Sequence, residues 1–117
     1  MLSQSLQTLL TEINEHHQKL VCVFGNFNIL HPGHIRFLKF AAEQGDKLVI
    51  GLLAKDYSSG AFLSDNDRAE ALKCVTVVDD VFMVTDNKLD FIDALQPSAV
   101  VKGKEFEKLD NDEQDAV

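Results

Sequence analysis

Residues 21–44, VCVFGNFNILHPGHIRFLKFAAEQ, constrain the fold more than any other stretch of the chain. Residues 21–24 form an apolar run that reads as a buried strand, and Gly25 ends it. Beyond a short turn the period changes. Ile35, Leu38 and Ala42 fall on one side, with Phe37 and Ala41 beside them, which is helical spacing. Pro32 suits the first turn of that helix, where its missing N–H costs nothing. The helix therefore opens with His31-Pro32-Gly33-His34 at the end of a strand and a turn. A helix N-terminus offers unpaired N–H groups and a partial positive charge. Gly33 would let a ligand come close to the backbone, and flanking imidazoles can donate to phosphate oxygens. The pattern predicts a phosphate site.

Gly25-Asn26-Phe27-Asn28-Ile29-Leu30-His31-Pro32-Gly33-His34 resembles the G-x-F-D-x-x-H-x-G-H signature of the cytidylyltransferase-like nucleotidyltransferases. That family includes the glycerol-3-phosphate, choline-phosphate and ethanolamine-phosphate cytidylyltransferases and the adenylyltransferase domain of ADP-heptose synthase. One position departs from the signature: Asn28 stands where the family has aspartate. Further on, Ser64, Arg68, Ala69, Glu70 and Leu72 are similar to the family's S-x-x-x-R-A-E-x-L, and VVDDVFMV resembles its VD-x-V strand. Val101-Lys102-Gly103-Lys104-Glu105-Phe106 resembles the V-K-G-x-D-[YFW] turn, with Glu105 replacing aspartate. The likeness covers roughly residues 20–106.

The resemblance implies an α/β Rossmann-like parallel sheet with helices on both faces, the HIGH-type nucleotidyltransferase fold, here with an N-terminal helix added. It implies transfer of a nucleoside monophosphate from CTP or ATP to a small phosphorylated sugar, alditol or alcohol, with release of pyrophosphate. His31 and His34 would be the catalytic residues. Gly25, Phe27, Asn28, Gly33 and Arg68 would bind nucleotide or phosphate, and Lys102, Gly103 and Glu105 would face the acceptor. Mg²⁺ is expected with the triphosphate and no protein metal ligand is assigned. The pattern over residues 62–106 inclines slightly to ATP, and dimers are common in the family, so a homodimer is a further expectation.

Plainer readings exist for the same residues. A single histidine at a helix start is more often structural, but two around a glycine after a strand shift that balance. Arg68 alone would read as a surface ion pair with Asp65 or Asp67, and Lys102 as a solvent-facing turn residue. The family often carries a triphosphate-binding lysine in the stretch at 54–63; Lys55 is the nearest candidate, and a plain surface lysine is an equal reading. Three readings of function follow. One is an active transferase. Another is a catalytically impaired nucleotide-binding module. The last is a dimerisation module of a larger protein.

The rest of the chain fits one α/β domain of 117 residues. Leu6, Leu9, Leu10, Ile13 and His17 recur at helical spacing within an N-terminal extension at 1–19 that either belongs to the domain or binds a partner. Gly45 fits a helix C-cap. KLVIGLL at 47–53 is apolar on both faces, as in a parallel sheet. Ser64 caps a helix, 81–84 is a strand, 88–95 a helix ended by Gln96-Pro97, and 98–101 a strand. Such folds bind ligands at the carboxyl ends of their strands, where residues 25–34 fall.

A net charge of −8 argues against a nucleic-acid polymer as partner but leaves a mononucleotide open. No apolar run reaches membrane-spanning length and no secretion signal is visible, so no membrane partner is expected. Cys22 and Cys74 both sit among apolar residues and read as buried free thiols, consistent with a cytoplasmic location. Residues 107–117, EKLDNDEQDAV, are acidic and lack the family's later S-[ST]-[ST]-x-[IV] segment. The chain is expected to be a fragment, or else a shortened relative. A Rossmann dehydrogenase is disfavoured, because no G-x-G-x-x-G follows the first strand.

Overall fold

In the computed structural model, residues 3–28, 30–55, 63–85 and 88–101 are described. Eight elements follow in order: α1 (Gln4–Glu15), β1 (Leu20–Gly25), α2 (Pro32–Ala42), β2 (Lys47–Leu53), α3 (Asp65–Lys73), β3 (Asp80–Val84), α4 (Lys88–Leu95) and β4 (Ala99–Val100). The strands form one parallel sheet in the order β3-β2-β1-β4. β1 is central, pairing Leu20 with Lys47 on one side and Val21 with Ala99 on the other. The chain runs outward from β1 to β2 and β3, then crosses back to β4, so the direction of winding reverses between β1 and β4. In open parallel sheets the ligand crevice opens at such a reversal.

Alternation along the strands divides the core into two layers. Leu20, Cys22 and Phe24 point to the face covered by Leu6 and Ile13 of α1 and by Ile92 and Leu95 of α4. Val21 and Val23 point to the opposite face, with Leu38 and Ala41 of α2 and Leu72 of α3. β2 is buried along nearly all its length, as its unbroken apolar run requires of a strand covered on both sides. α1 therefore belongs to the core: Leu6 is fully buried. Ser5 Oγ further ties α1 to β3 by donating to Asp80 Oδ2 at 2.9 Å.

The amino ends of the strands are closed by carboxylates. Asp46 Oδ2 accepts the Lys19 N–H at 2.7 Å, and Asp79 Oδ2 accepts the Leu48 N–H at 2.7 Å. The opposite, carboxyl edge is where the turn of residues 26–31 begins. Among the described residues no helix is long and apolar enough to cross a membrane.

Several local expectations change in the structure. Gly45 is not a left-handed helix cap; α2 ends at Ala42 with Glu43 as its cap. Its missing side chain is needed because a Cβ there would lie 2.7 Å from Val21 Cγ2 and 2.9 Å from the Lys19 carbonyl. His17 does not continue the apolar stripe of α1. The helix stops at Glu15, and His17 is exposed with φ 54°. Cys22 is buried as expected, but Cys74 is exposed, because it caps the C-terminus of α3 rather than lying on its inner face.

Candidate functional site

The turn after β1 is held in a conformation that costs energy. Phe27 adopts φ 49°, a left-handed backbone that costs a non-glycine residue about 1–2 kcal/mol. The compensation is burial: its ring is only 3% exposed and packs in the layer containing Leu38 and Leu72. The Phe27 side chain is thus part of the core in this structure. Gly25 is likewise buried as the last residue of β1, paired with Leu52. Asn28 is half-buried.

His31 is the N-cap of α2, with extended φ −119° and ψ 172°. Its Nδ1 accepts the Gly33 N–H at 3.0 Å, as the oxygen of an asparagine cap would. His34, three residues on, returns the contact: its Nδ1 accepts the His31 N–H at 3.4 Å. The pair is a capping box built from two imidazoles. The ring centroids lie 3.9 Å apart with the planes tilted by 41°. The Phe27 ring stands edge-on to His34 at 6.4 Å. His31 is exposed and His34 half-buried.

Two consequences follow from this geometry. The amides of His31 and Gly33 are not bare, as the motif alone suggests, because imidazole nitrogens already accept from them. A ring whose Nδ1 accepts carries its proton on Nε2. The chemical resource of the site is therefore two Nε2–H donors mounted on one helix turn. Gly33 also meets a steric demand of the cap itself. A Cβ on Gly33 would sit 2.7 Å from His31 Cε1. The glycine makes room for the cap.

Arg68 is placed against expectation. It is wholly buried in α3. Its Nε donates to the Leu63 carbonyl at 3.0 Å, and its Nη1 to the carbonyls of Asn26 at 2.9 Å and Leu53 at 2.7 Å. Its Nη2 pairs with Asp65. The guanidinium faces inward in this structure; the ion pair with Asp65 that the plainer reading offered is present, but with the arginine buried rather than at the surface. Asp65 Oδ1 also accepts the Lys55 N–H at 2.9 Å, while Lys55 itself is exposed at the end of β2. Ser64 caps α3, accepting from the Asp67 N–H at 3.1 Å. Lys102, Gly103 and Glu105 lie outside the described residues, as do the remainder of the stretch at 56–62 and the tail at 102–117. β4 brings the chain back beside β1, and the Val101 N–H donates to the Cys22 carbonyl at 3.0 Å.

Among the described residues no group of three or more His, Cys, Asp or Glu side chains stands close enough to hold a metal ion. Sequence reasoning located the histidine pair but missed its mutual capping. Histidine is an unusual cap, and only the i, i+3 spacing hinted at it.

A family model described as cytidylyltransferase-like matches residues 22–117. The chain belongs to the cytidylyltransferase-like family. Relatives include the bifunctional protein HldE of Helicobacter pylori (strain HPAG1), 34% identical over 108 residues, a match covering 86% of this chain and 23% of that protein. The same-named protein of Methylobacillus flagellatus is 33% identical over 112 residues, covering 87% and 23%. That of Hyphomonas neptunium is 39% identical over 89 residues, covering 70% and 18%. The chain thus spans under a quarter of the length of these relatives. The crystal structure of a lipopolysaccharide core biosynthesis protein from Thermoplasma volcanium superposes with a TM-score of 0.67 at 24% identity, covering 78% of this chain and 83% of that one. That likeness bears on the fold, the Rossmann-like parallel sheet of the cytidylyltransferase-like nucleotidyltransferases.

Proposed function

We propose that this chain carries the nucleotide-binding part of a nucleotidyltransferase that moves a nucleoside monophosphate from ATP or CTP to a small phosphorylated sugar, alditol or alcohol. The observation that carries this reading is the His31–His34 pair, rings 3.9 Å apart and both turned Nδ1-inward, at the carboxyl end of the central strand. Two Nε2–H donors on a rigid helix turn suit oxygens of a polyphosphate. Family membership and the HldE relatives support the same class of chemistry. The resemblance over residues 62–106 makes ATP the first nucleotide to test.

An acceptor phosphate oxygen forms the new bond to the α-phosphorus, and the bond to the leaving pyrophosphate breaks. The nucleophile is already ionised, so the site needs no strong general base. It needs orientation and donors aimed at the charge that builds on the phosphoryl oxygens. His31 and His34 would supply those donors, and the stiff Pro32 turn would keep them in register. Mg²⁺ would arrive with the triphosphate, whose charge it offsets. Lys102 and Gly103 are proposed to meet the acceptor. Cytoplasmic location and a homodimer are proposed on the same footing.

One residue favours a second reading, a nucleotide-binding module with weakened turnover: Asn28 replaces the family's aspartate. Asparagine keeps an acceptor oxygen and loses the charge. Pyrophosphate release from MgATP and MgCTP, measured with a panel of sugar and alditol phosphates, separates the two. Saturable nucleotide binding with no release for any acceptor would favour the module; no binding at all would reject both.

A further inference from the structure

We propose that Arg68 is a positioning residue for the histidine pair and makes no contact with phosphate. Its donors tie together places that are distant in the chain but adjacent at the carboxyl edge of the sheet. They are the Asn26 carbonyl after β1, the Leu53 carbonyl ending β2, the Leu63 carbonyl ahead of α3, and the Asp65 carboxylate. Asn26 immediately precedes Phe27, the left-handed residue of the turn. Phe27 in turn packs with Leu38 of α2 and stands edge-on to His34. Contact is thus continuous from the guanidinium through the turn to the imidazoles.

Burial of a guanidinium beside a single carboxylate that is 41% exposed is unfavourable unless its donors are matched. Here backbone carbonyls match them, and each belongs to a segment whose relative placement sets the turn. A planar fork of donors suits that task and a lysine does not, because its ammonium is a point charge on a flexible stem. A strained turn persists only where its surroundings over-determine it; Arg68 is the group that does so from the α3 side.

The test uses the 117-residue chain with ¹⁵N-labelled histidine, as wild type, Arg68→Lys and Asp65→Ala. Asp65→Ala removes the one carboxylate partner and leaves the three carbonyl acceptors of Arg68 in place, so it is the milder variant beside Arg68→Lys. Long-range ¹H–¹⁵N spectra report the imidazole tautomers. In the wild type both rings should show the Nε2–H form. Both variants should shift His31 and His34 toward mixed tautomers, Arg68→Lys more, with MgATP affinity lowered about tenfold, the scale of one charged hydrogen bond. A lower unfolding temperature with unchanged imidazole spectra would overturn the proposal, because it would make Arg68 a stabilising residue only. Weaker MgATP binding with unchanged spectra would overturn it in favour of direct phosphate contact. The affinity arm rests on the proposed function and the spectral arm does not. A wild type that binds neither MgATP nor MgCTP would refute the function, while the spectra would still decide the role of Arg68.

Discussion

His31 and His34 cap one another: each imidazole Nδ1 accepts a backbone N–H from the first turn of α2, one at 3.0 Å and the other at 3.4 Å. The motif's histidines are therefore part of the helix's own construction before any ligand is present. The structural and chemical parts of their role can be separated by substitution.

His31→Asn should separate them. Asparagine is among the best N-caps, so the substitution should change stability by less than about 0.5 kcal/mol, whereas His31→Ala should cost about 1 kcal/mol. Both variants lose the Nε2–H donor and should lose nucleotide binding alike. Urea unfolding with nucleotide titration on each variant checks this. His34→Ala, whose cap contact is the longer one, should abolish turnover while leaving the fold intact.

Gly51 and Gly33 should respond differently to alanine. At Gly51 a Cβ would lie 2.4 Å from the Phe24 ring and 3.1 Å from Phe82 Cζ. Those rings meet edge-on across β2 with centroids 6.0 Å apart. Both are buried, so Gly51→Ala should destabilise by about 1–3 kcal/mol, the usual cost of overpacking. At Gly33 the obstructing group is the exposed His31 ring, which can swing into solvent. Gly33→Ala should keep most of its stability and disturb the imidazole spectra instead. Equal stability losses at the two sites would contradict this account.

Much of this was legible in the sequence where the determinants are local. Lys47–Leu53 is bounded by its own apolar run, Lys88–Leu95 by its periodicity and the following Pro97, and α2 begins at Pro32 as its fixed φ requires. Ser64 announced the start of α3 because a cap acts within its own turn. The burial of Arg68 was not legible because three of its acceptors lie 5, 15 and 42 residues away; the pair with Asp65, three residues off, was. Gly45 failed similarly: its constraint is Val21 and Lys19 across the fold, not the helix before it. Local chemistry reads forward from sequence, and tertiary neighbours do not.

The cysteines should differ in reactivity. Burial pushes the Cys22 thiol up to about 12, while Cys74 is exposed. A thiol-reactive chromophore should label Cys74 in the native protein and reach Cys22 only on unfolding. The raised value also has a sign for stability. The unfolded chain gives up the Cys22 proton near the ordinary cysteine range of about 8.5, while the folded chain holds it. Stability from this source is complete below that range and is lost as pH rises toward about 12. Cys22→Ala should remove that slope from the unfolding free energy.

Asn28→Asp should raise pyrophosphate release if the missing carboxylate limits turnover, with little change in unfolding temperature because the site is half-buried beside the start of α2. An unchanged rate in an active wild type would show that asparagine already braces the turn.

The most direct measurement is a titration of the ¹⁵N-histidine-labelled chain with MgATP and, separately, MgCTP, following the Nε2 resonances of His31 and His34. Both resonances should move together and saturate with a single dissociation constant for at least one nucleotide, while His16 and His17 stay still. If the His31 and His34 resonances remain in place across the titration of both nucleotides, the phosphate-cradle account of this site is wrong.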